Sequence, residues 1–132
     1  MSTAFLTLLV LLPALAERYN GSVLVLTDTT FKDAVVEHEY LFVKIYAPWC
    51  PHCKRLEPEW KEAAERLEEL GSMVVMAEID GSSNIQTSLS QQIRGYPTID
   101  FFYMSHSVRY TGARNSQALI NYALNQTQES FP

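Results

Sequence analysis

The sequence predicts an α/β domain with a mixed central sheet and helices on both of its faces. Three observations predict it. Apolar stretches of strand length alternate with stretches in which apolar residues recur every third or fourth position. The 132 residues, 47% of them hydrophobic, suffice for one compact core and not for two. The chain's two cysteines, Cys50 and Cys53, fall where one apolar strand passes into a helical pattern.

The elements follow in order. Residues 1–16 carry no charged side chain and run through Phe5, Leu8, Val10 and Leu12 to Ala14-Leu15-Ala16. That run is too short to span a bilayer and has a signal-peptidase type of ending, so a cleaved secretory leader is expected. The mature domain is then 17–132, with no stable membrane association. No Lys or Arg precedes the apolar run, which leaves only the α-amino group as its positive end. Residues 22–26 read as a strand, and Asp28 is placed to cap a short helix carrying Phe31, Ala34 and Val35. Residues 41–47 form the next strand, apolar on both faces except at Lys44, as a central strand covered on both sides should be.

From 51 to 70 the residues Leu56, Trp60, Ala63, Ala64, Leu67 and Leu70 recur at helical spacing, and Gly71 supplies the stop. Pro58 falls inside this helix and predicts a kink. Residues 73–79 read as a strand, and Ile85, Leu89 and Ile93 as the apolar stripe of a short helix. Residues 98–103 and 108–110 form a hairpin, and a last helix carries Ala118, Leu119, Tyr122 and Ala123. There is no internal repeat or linker.

Charge excludes some functions. Ten basic against 15 acidic residues, net −5, gives no support for nucleic-acid binding. Glu57, Glu59, Glu62, Glu65, Glu68 and Glu69 share one helix with Lys61 and Arg66, which reads as a solvated face rather than a cation site. The sequons at Asn20 and Asn125 are candidate N-glycosylation sites compatible with export.

The chemistry concentrates in Cys50-Pro51-His52-Cys53. With no third cysteine, the pair is a redox couple, half of a metal site, or inert. Zinc needs at least three protein ligands, and only His38 and His106, in unrelated segments, are available as further histidines, so no metal is expected. Haem attachment needs His directly after the second cysteine, where Lys54 stands, and no cofactor is expected. A disulfide across two intervening residues closes too small a ring to staple the fold, and such a ring is made to be opened and closed. At a helix start, free N–H groups and the positive dipole end favour a Cys50 thiolate facing solvent, while Cys53 lies a turn deeper.

The segment Tyr46-Ala47-Pro48-Trp49-Cys50-Pro51-His52-Cys53-Lys54-Arg55-Leu56-Glu57-Pro58-Glu59-Trp60 resembles the active-site segment of protein disulfide isomerase domains. Arg94-Gly95-Tyr96-Pro97-Thr98 and Tyr110-Thr111-Gly112-Ala113-Arg114 are similar to two later motifs of that family, in the right order. The resemblance covers roughly residues 22 to 124 and implies a thioredoxin fold and thiol–disulfide oxidoreductase or isomerase activity on secretory-pathway proteins. It implies that Cys50 is the nucleophile and Cys53 the resolving thiol. His52 would support the Cys50 thiolate, and a cis Pro97, with Tyr96 and Trp49, would face substrate. Arg114 would swing toward Cys53. Plainer roles stand beside these: a solvated His52, a surface Arg114, a turn proline at Pro97, a packing Trp49. The partners implied are unfolded or disulfide-bonded clients and a thiol oxidant or glutathione for recycling, in the endoplasmic reticulum lumen or beyond it by secretion. The sequence ends Gln128-Glu129-Ser130-Phe131-Pro132 rather than Lys-Asp-Glu-Leu, so that location is expected from leader and resemblance alone.

Departures from the family pattern matter equally. Pro51-His52 replaces the usual Gly-His and resembles the dipeptide of DsbA-type bacterial oxidants, which opens the alternative of a dedicated oxidant. A client-binding chaperone with incidental cysteines is the alternative from another class. Where the family carries a buried carboxylate before the first cysteine and a lysine on the next strand, this chain has Lys44 and Glu78. If they pair beneath Cys53, Glu78 becomes the candidate to take its proton; otherwise Lys44 reaches the surface. Gln91-Gln92 replaces an aromatic-Gly pair.

Overall fold

The computed structural model describes residues 17–128; the expected leader lies outside them. In chain order the elements are β1 (Arg18–Asn20), β2 (Val23–Leu26), α1 (Phe31–Glu37), β3 (Tyr40–Tyr46), α2 (Pro51–Glu69), β4 (Val74–Asp80), α3 (Ile85–Ser90), β5 (Thr98–Tyr103), β6 (His106–Arg109) and α4 (Ser116–Thr127). The sheet runs β1-β2-β4-β3-β5-β6. As its run, apolar on both faces except at Lys44, predicts, β3 is central, parallel to β4 and antiparallel to β5. The sheet is mixed, and the expected fold class is the one observed.

Side chains alternate along β3, so each face of the sheet receives its own core. Phe42, Met76 and Phe101 meet Leu56, Trp60 and Leu67 of α2 and Leu119 and Ala123 of α4 on one face. The other face brings Leu41, Val43, Ile45 and Ile79 against Phe31 and Ala34 of α1. Phe42 anchors the first core with edge-on contacts to Trp60 at 5.0 Å and Phe101 at 5.3 Å between ring centroids. Such pairs add about 0.5–1.5 kcal/mol each to the burial itself. Trp60 is fully buried, and its indole N–H donates to the Ala77 carbonyl at 3.1 Å.

Helix α2 starts at the cysteine pair and continues past Pro58 as a single helix of 19 residues. Its end is the stop expected at Gly71, whose φ of +71° favours glycine. Gly71 N–H donates to Glu68 O and Ser72 N–H to Leu67 O, the paired bonds of a Schellman motif.

One strand goes unannounced in the sequence, and two expectations are corrected. Strand β1 is wholly exposed and its Arg-Tyr-Asn lacks apolar alternation, so nothing local announces it; it forms by pairing antiparallel to β2, Tyr19 opposite Leu24. Asp28 does not cap α1, whose N-cap is Thr30 without a side-chain bond. Its carboxylate instead accepts the N–H groups of Gln86 (3.3 Å) and Thr87 (2.8 Å), and the Thr87 hydroxyl at 2.8 Å, capping α3 from across the fold. Asn84 returns the contact, its Oδ1 accepting the Asp28 N–H at 2.8 Å. This cap rotates α3 away from its expected face: Thr87 and Ser88 are buried, whereas Ile85 and Leu89 are 55% and 72% exposed.

At the far edge, β5 and β6 turn at Met104 and Ser105, both at positive φ as two-residue hairpin loops of the primed type require. Asp100, buried on β5, lies opposite Arg109 on β6 and accepts from its Nε at 2.8 Å. Arg109 also donates to the Gln91 carbonyl at 2.8 Å, which ties the edge strand to the chain leading toward Pro97.

Candidate active site

The two cysteines sit at the carboxyl edge of the sheet, where β3 hands over to α2. Cys50 is the N-cap and Pro51 the first helical residue, a position where the missing N–H of proline costs nothing. The Cys50 sulfur accepts the Cys53 N–H at 3.4 Å and lies 3.6 Å from the Tyr96 carbonyl, to which its S–H can donate. Tyr96 precedes Pro97 through a cis peptide bond, and it packs against the cysteine pair from the loop before β5.

The expected solvent-facing thiol is nearly as covered as its partner, Cys50 being 6% and Cys53 5% exposed. Their difference is electrostatic. Cys50 is lowered from the ordinary thiol value, first by the hydrogen bond from the Cys53 side chain. The N–H groups of Cys53 and His52 and the Arg55 guanidinium assist, against partial desolvation. Burial pushes Cys53 up to about 11, with Cys50 adding to the rise and the Ala47 backbone and Lys44 opposing it. One thiol is shifted toward its thiolate and the other away from it, an asymmetry suited to sequential attack and resolution.

The remaining expected residues divide. The His52 ring is exposed and turned to Arg55, whose Nη2 donates to its Nδ1 at 2.7 Å, so it is the His52 backbone N–H that supports the Cys50 sulfur. Arg55 was missed in the sequence, although its i, i+3 spacing from His52 on a helix was a usable signal. Trp49 is 65% exposed, its ring edge-on to Tyr96 at 5.8 Å. Trp49 and Tyr96 thus frame the approach to Cys50. Arg114 is exposed in the loop between β6 and α4, with no hydrogen bond or ion pair among the described residues. That loop is shaped by Tyr110, whose hydroxyl donates to the Ala113 carbonyl and whose ring leaves no room for a side chain at Gly112. The sequon residues Asn20 and Asn125 are both exposed.

Lys44 and Glu78 occupy matched positions of neighbouring parallel strands and face the same side of the sheet as α2. Their charged atoms are 3.6 Å apart, with side chains 4% and 14% exposed. The Lys44 ammonium also lies 5.1 Å from the centre of the Tyr46 ring. Burial raises Glu78 above the usual carboxylate range, Lys44 pulls it down, and the Glu57 charge pushes it further up. Lys44 therefore does not reach for water.

Of the two histidines weighed for metal binding, His106 starts β6 and His38 follows α1, and neither joins the cysteines in a cluster of ligands among the described residues. The His38 Nε2 is 2.6 Å from Glu17, with Glu37 nearby.

The Thioredoxin family model matches residues 22–125. The chain is 37% identical over 122 residues to protein disulfide-isomerase 1 of Caenorhabditis elegans, an alignment covering 92% of this chain and 25% of that protein. It is 37% identical over 110 residues to protein disulfide-isomerase of Drosophila melanogaster, covering 83% of this chain and 22% of that one. The chain thus spans about a quarter of the length of the curated relatives it matches. Among solved structures, the first thioredoxin domain of mouse protein disulfide-isomerase A4 superposes with a TM-score of 0.78 at 28% identity, covering 91% of this chain and 87% of that one. The J-Trx1 fragment of ERdj5 gives a TM-score of 0.74 at 25% identity, covering 82% and 53%.

Proposed function

The chain belongs to the thioredoxin family, and on that premise we propose that it is a thiol–disulfide oxidoreductase and isomerase that makes and rearranges disulfides in client proteins of the secretory pathway. The observation that carries the reading is the opposite perturbation of two thiols three positions apart, beside a Tyr96 carbonyl that approaches the first of them.

Cys50, as thiolate, attacks a client disulfide; one client sulfur bonds to Cys50 and the other leaves as thiolate. Cys53 then loses its proton and attacks the Cys50 sulfur, releasing the client and closing the Cys50–Cys53 disulfide. Run in reverse, the same steps oxidise a client dithiol, and glutathione or a thiol oxidant restores the pair. Glu78 serves as the proton acceptor for Cys53, with Lys44 as its counter-charge. Trp49 and Tyr96 line the client's approach with Pro97 buried behind them, and Arg114 is free to swing toward Cys53. The leader expected at residues 1–16 supports a place in the endoplasmic reticulum lumen or beyond it; no helix of the described residues is long and apolar enough to cross a membrane.

A dedicated oxidant is the second reading, favoured by Pro51 at the first helical position. Replacing it with Gly then makes the couple less oxidising against glutathione. The decisive experiment pairs Cys50→Ser with Cys53→Ser in a scrambled-substrate refolding assay. Cys50→Ser loses exchange, whereas Cys53→Ser accumulates mixed disulfides with clients. Activity surviving the loss of both cysteines would identify a chaperone instead.

A further inference from the structure

A cavity of about 170 Å³ lies behind the resolving thiol, lined by Lys44, Tyr46, Cys53, Lys54, Glu57 and Glu78 together with Ala47 and Pro48. A water molecule needs only about 10–15 Å³ of such space and two or more polar partners, so the cavity is large and polar enough for several. Glu78 stands inside it, mostly buried and held by Lys44. Glu57, one turn along α2 from Cys53, is exposed, so at that residue the cavity wall reaches bulk solvent.

We propose that Glu57, exposed on the wall of the cavity that Cys53 and Glu78 share, is a positioning residue of the resolving step: it assists transfer of the Cys53 proton to Glu78 and its passage outward. The inference rests on reading Cys53 as the resolving thiol. In the step, the Cys53 S–H bond breaks and its proton moves through cavity water to the Glu78 carboxylate. The thiolate attacks the Cys50 sulfur, the Cys50–client bond breaks, and its electron pair leaves on the client sulfur. The cysteine pair is oxidised and the client reduced, with no outside oxidant required.

Burial is the first cause that raises Glu78, and the Glu57 charge adds to it. Lys44 beside Glu78 favours the ionised carboxylate and so opposes protonation. A second carboxylate on the cavity wall offsets the buried Lys44 ammonium and favours a proton on Glu78, with the exposed Lys54 acting against it, and the direction of the effect of Glu57 on Glu78 agrees. The other groups facing Glu78 are Lys44 and Tyr46 from β3 and Cys53 and Lys54 from α2. Opposite it on β2 is Val25, which carries no charge.

The test is single-turnover release of a labelled peptide from a preformed Cys50 mixed disulfide, followed from acid to alkaline pH in the full chain and in Glu57→Gln and Glu57→Asp. Glu57→Gln shifts the midpoint of the acidic limb to lower pH. It also slows the plateau about threefold, as a weaker base should. Glu57→Asp keeps the charge and stays near the parent profile. A structural role for this exposed side chain would leave the midpoint in place, and a Glu57→Gln midpoint equal to the parent's overturns the proposal. If the parent itself forms no mixed disulfide at Cys50, the functional reading fails instead, so the two failures are distinguishable.

Discussion

Adding one methyl group at Gly81 should disturb a thiol it never touches. A Cβ at this position would stand 2.7 Å from Ile45 Cγ2, 2.8 Å from the Ser88 hydroxyl and 2.9 Å from Tyr96 Cε1. Ordinary contact begins near 3.4 Å, so all three neighbours must yield by more than a few tenths of an ångström. Ile45 is fully buried in the central strand and has least freedom to move. Ser88 is fixed by its bond to the Gly81 carbonyl at 2.8 Å and by the α3 cap at Asp28. Tyr96, partly buried in its loop, is therefore expected to move most. Overpacking of this kind costs about 1–3 kcal/mol, and the rigidity of two of the three walls places Gly81→Ala near 2 kcal/mol. Because the Tyr96 carbonyl faces the Cys50 sulfur, the displacement should also change thiolate formation there. The assay is urea denaturation together with the pH dependence of Cys50 alkylation. Removing the ring in Gly81→Ala/Tyr96→Ala should restore part of the stability beyond the sum of the single effects. A Gly81→Ala protein within 0.5 kcal/mol of the parent, with an unchanged alkylation profile, would refute the reasoning.

Three further outcomes are expected. Reversing either Lys44 or Glu78 alone should destabilise the protein by about 3–5 kcal/mol, while Lys44→Glu with Glu78→Lys should recover most of it; additive losses in a double-mutant cycle would mean the pair is not coupled. A thiol raised in the fold is protonated below its own value and ionises only as pH rises through it, so Cys53 alkylation in Cys50→Ala should climb until pH approaches 11. The observed midpoint should fall slightly below that value because Cys50 contributes to the rise, and a midpoint near the ordinary 9.0 would show that burial does not protect the thiol. Gln92 has a φ of +53°, a region costing a side-chain-bearing residue about 1–2 kcal/mol. Offset by the greater chain entropy of glycine, Gln92→Gly should stabilise by about 0.5–1 kcal/mol, read from thermal or urea unfolding.

What could be read from the sequence was local or periodic. The stripe from Leu56 to Leu67, the stop at Gly71 and the cysteine spacing each act within a few residues, and each recurs in the structure. The pairing of Lys44 with Glu78 was raised by the family resemblance, with a Lys44 that reaches the surface left open beside it, and the structure brings the two side chains together. The misreadings concern partners far away in the chain. Asp28 looked like a local cap because capping is usually local, yet its carboxylate serves a helix more than fifty residues on. That distant bond sets which face of α3 turns inward, and hydropathy alone pointed to the wrong one. The depth of Cys50 escaped for the same reason: the Tyr96 loop that covers it comes from the other half of the chain.

The placement of β3 has a consequence for amide exchange. Its backbone is hydrogen-bonded on both sides, and its residues from Tyr40 through Ile45 are buried. Amides in such a strand usually exchange with solvent deuterium only when the whole domain opens. The cysteines lie just past its carboxyl end, so the bond proposed for them would be mounted on the strand expected to exchange slowest. Deuterium uptake along β3 should therefore be almost the same in the dithiol and disulfide forms, with the differences confined to the start of α2 and the loop carrying Tyr96.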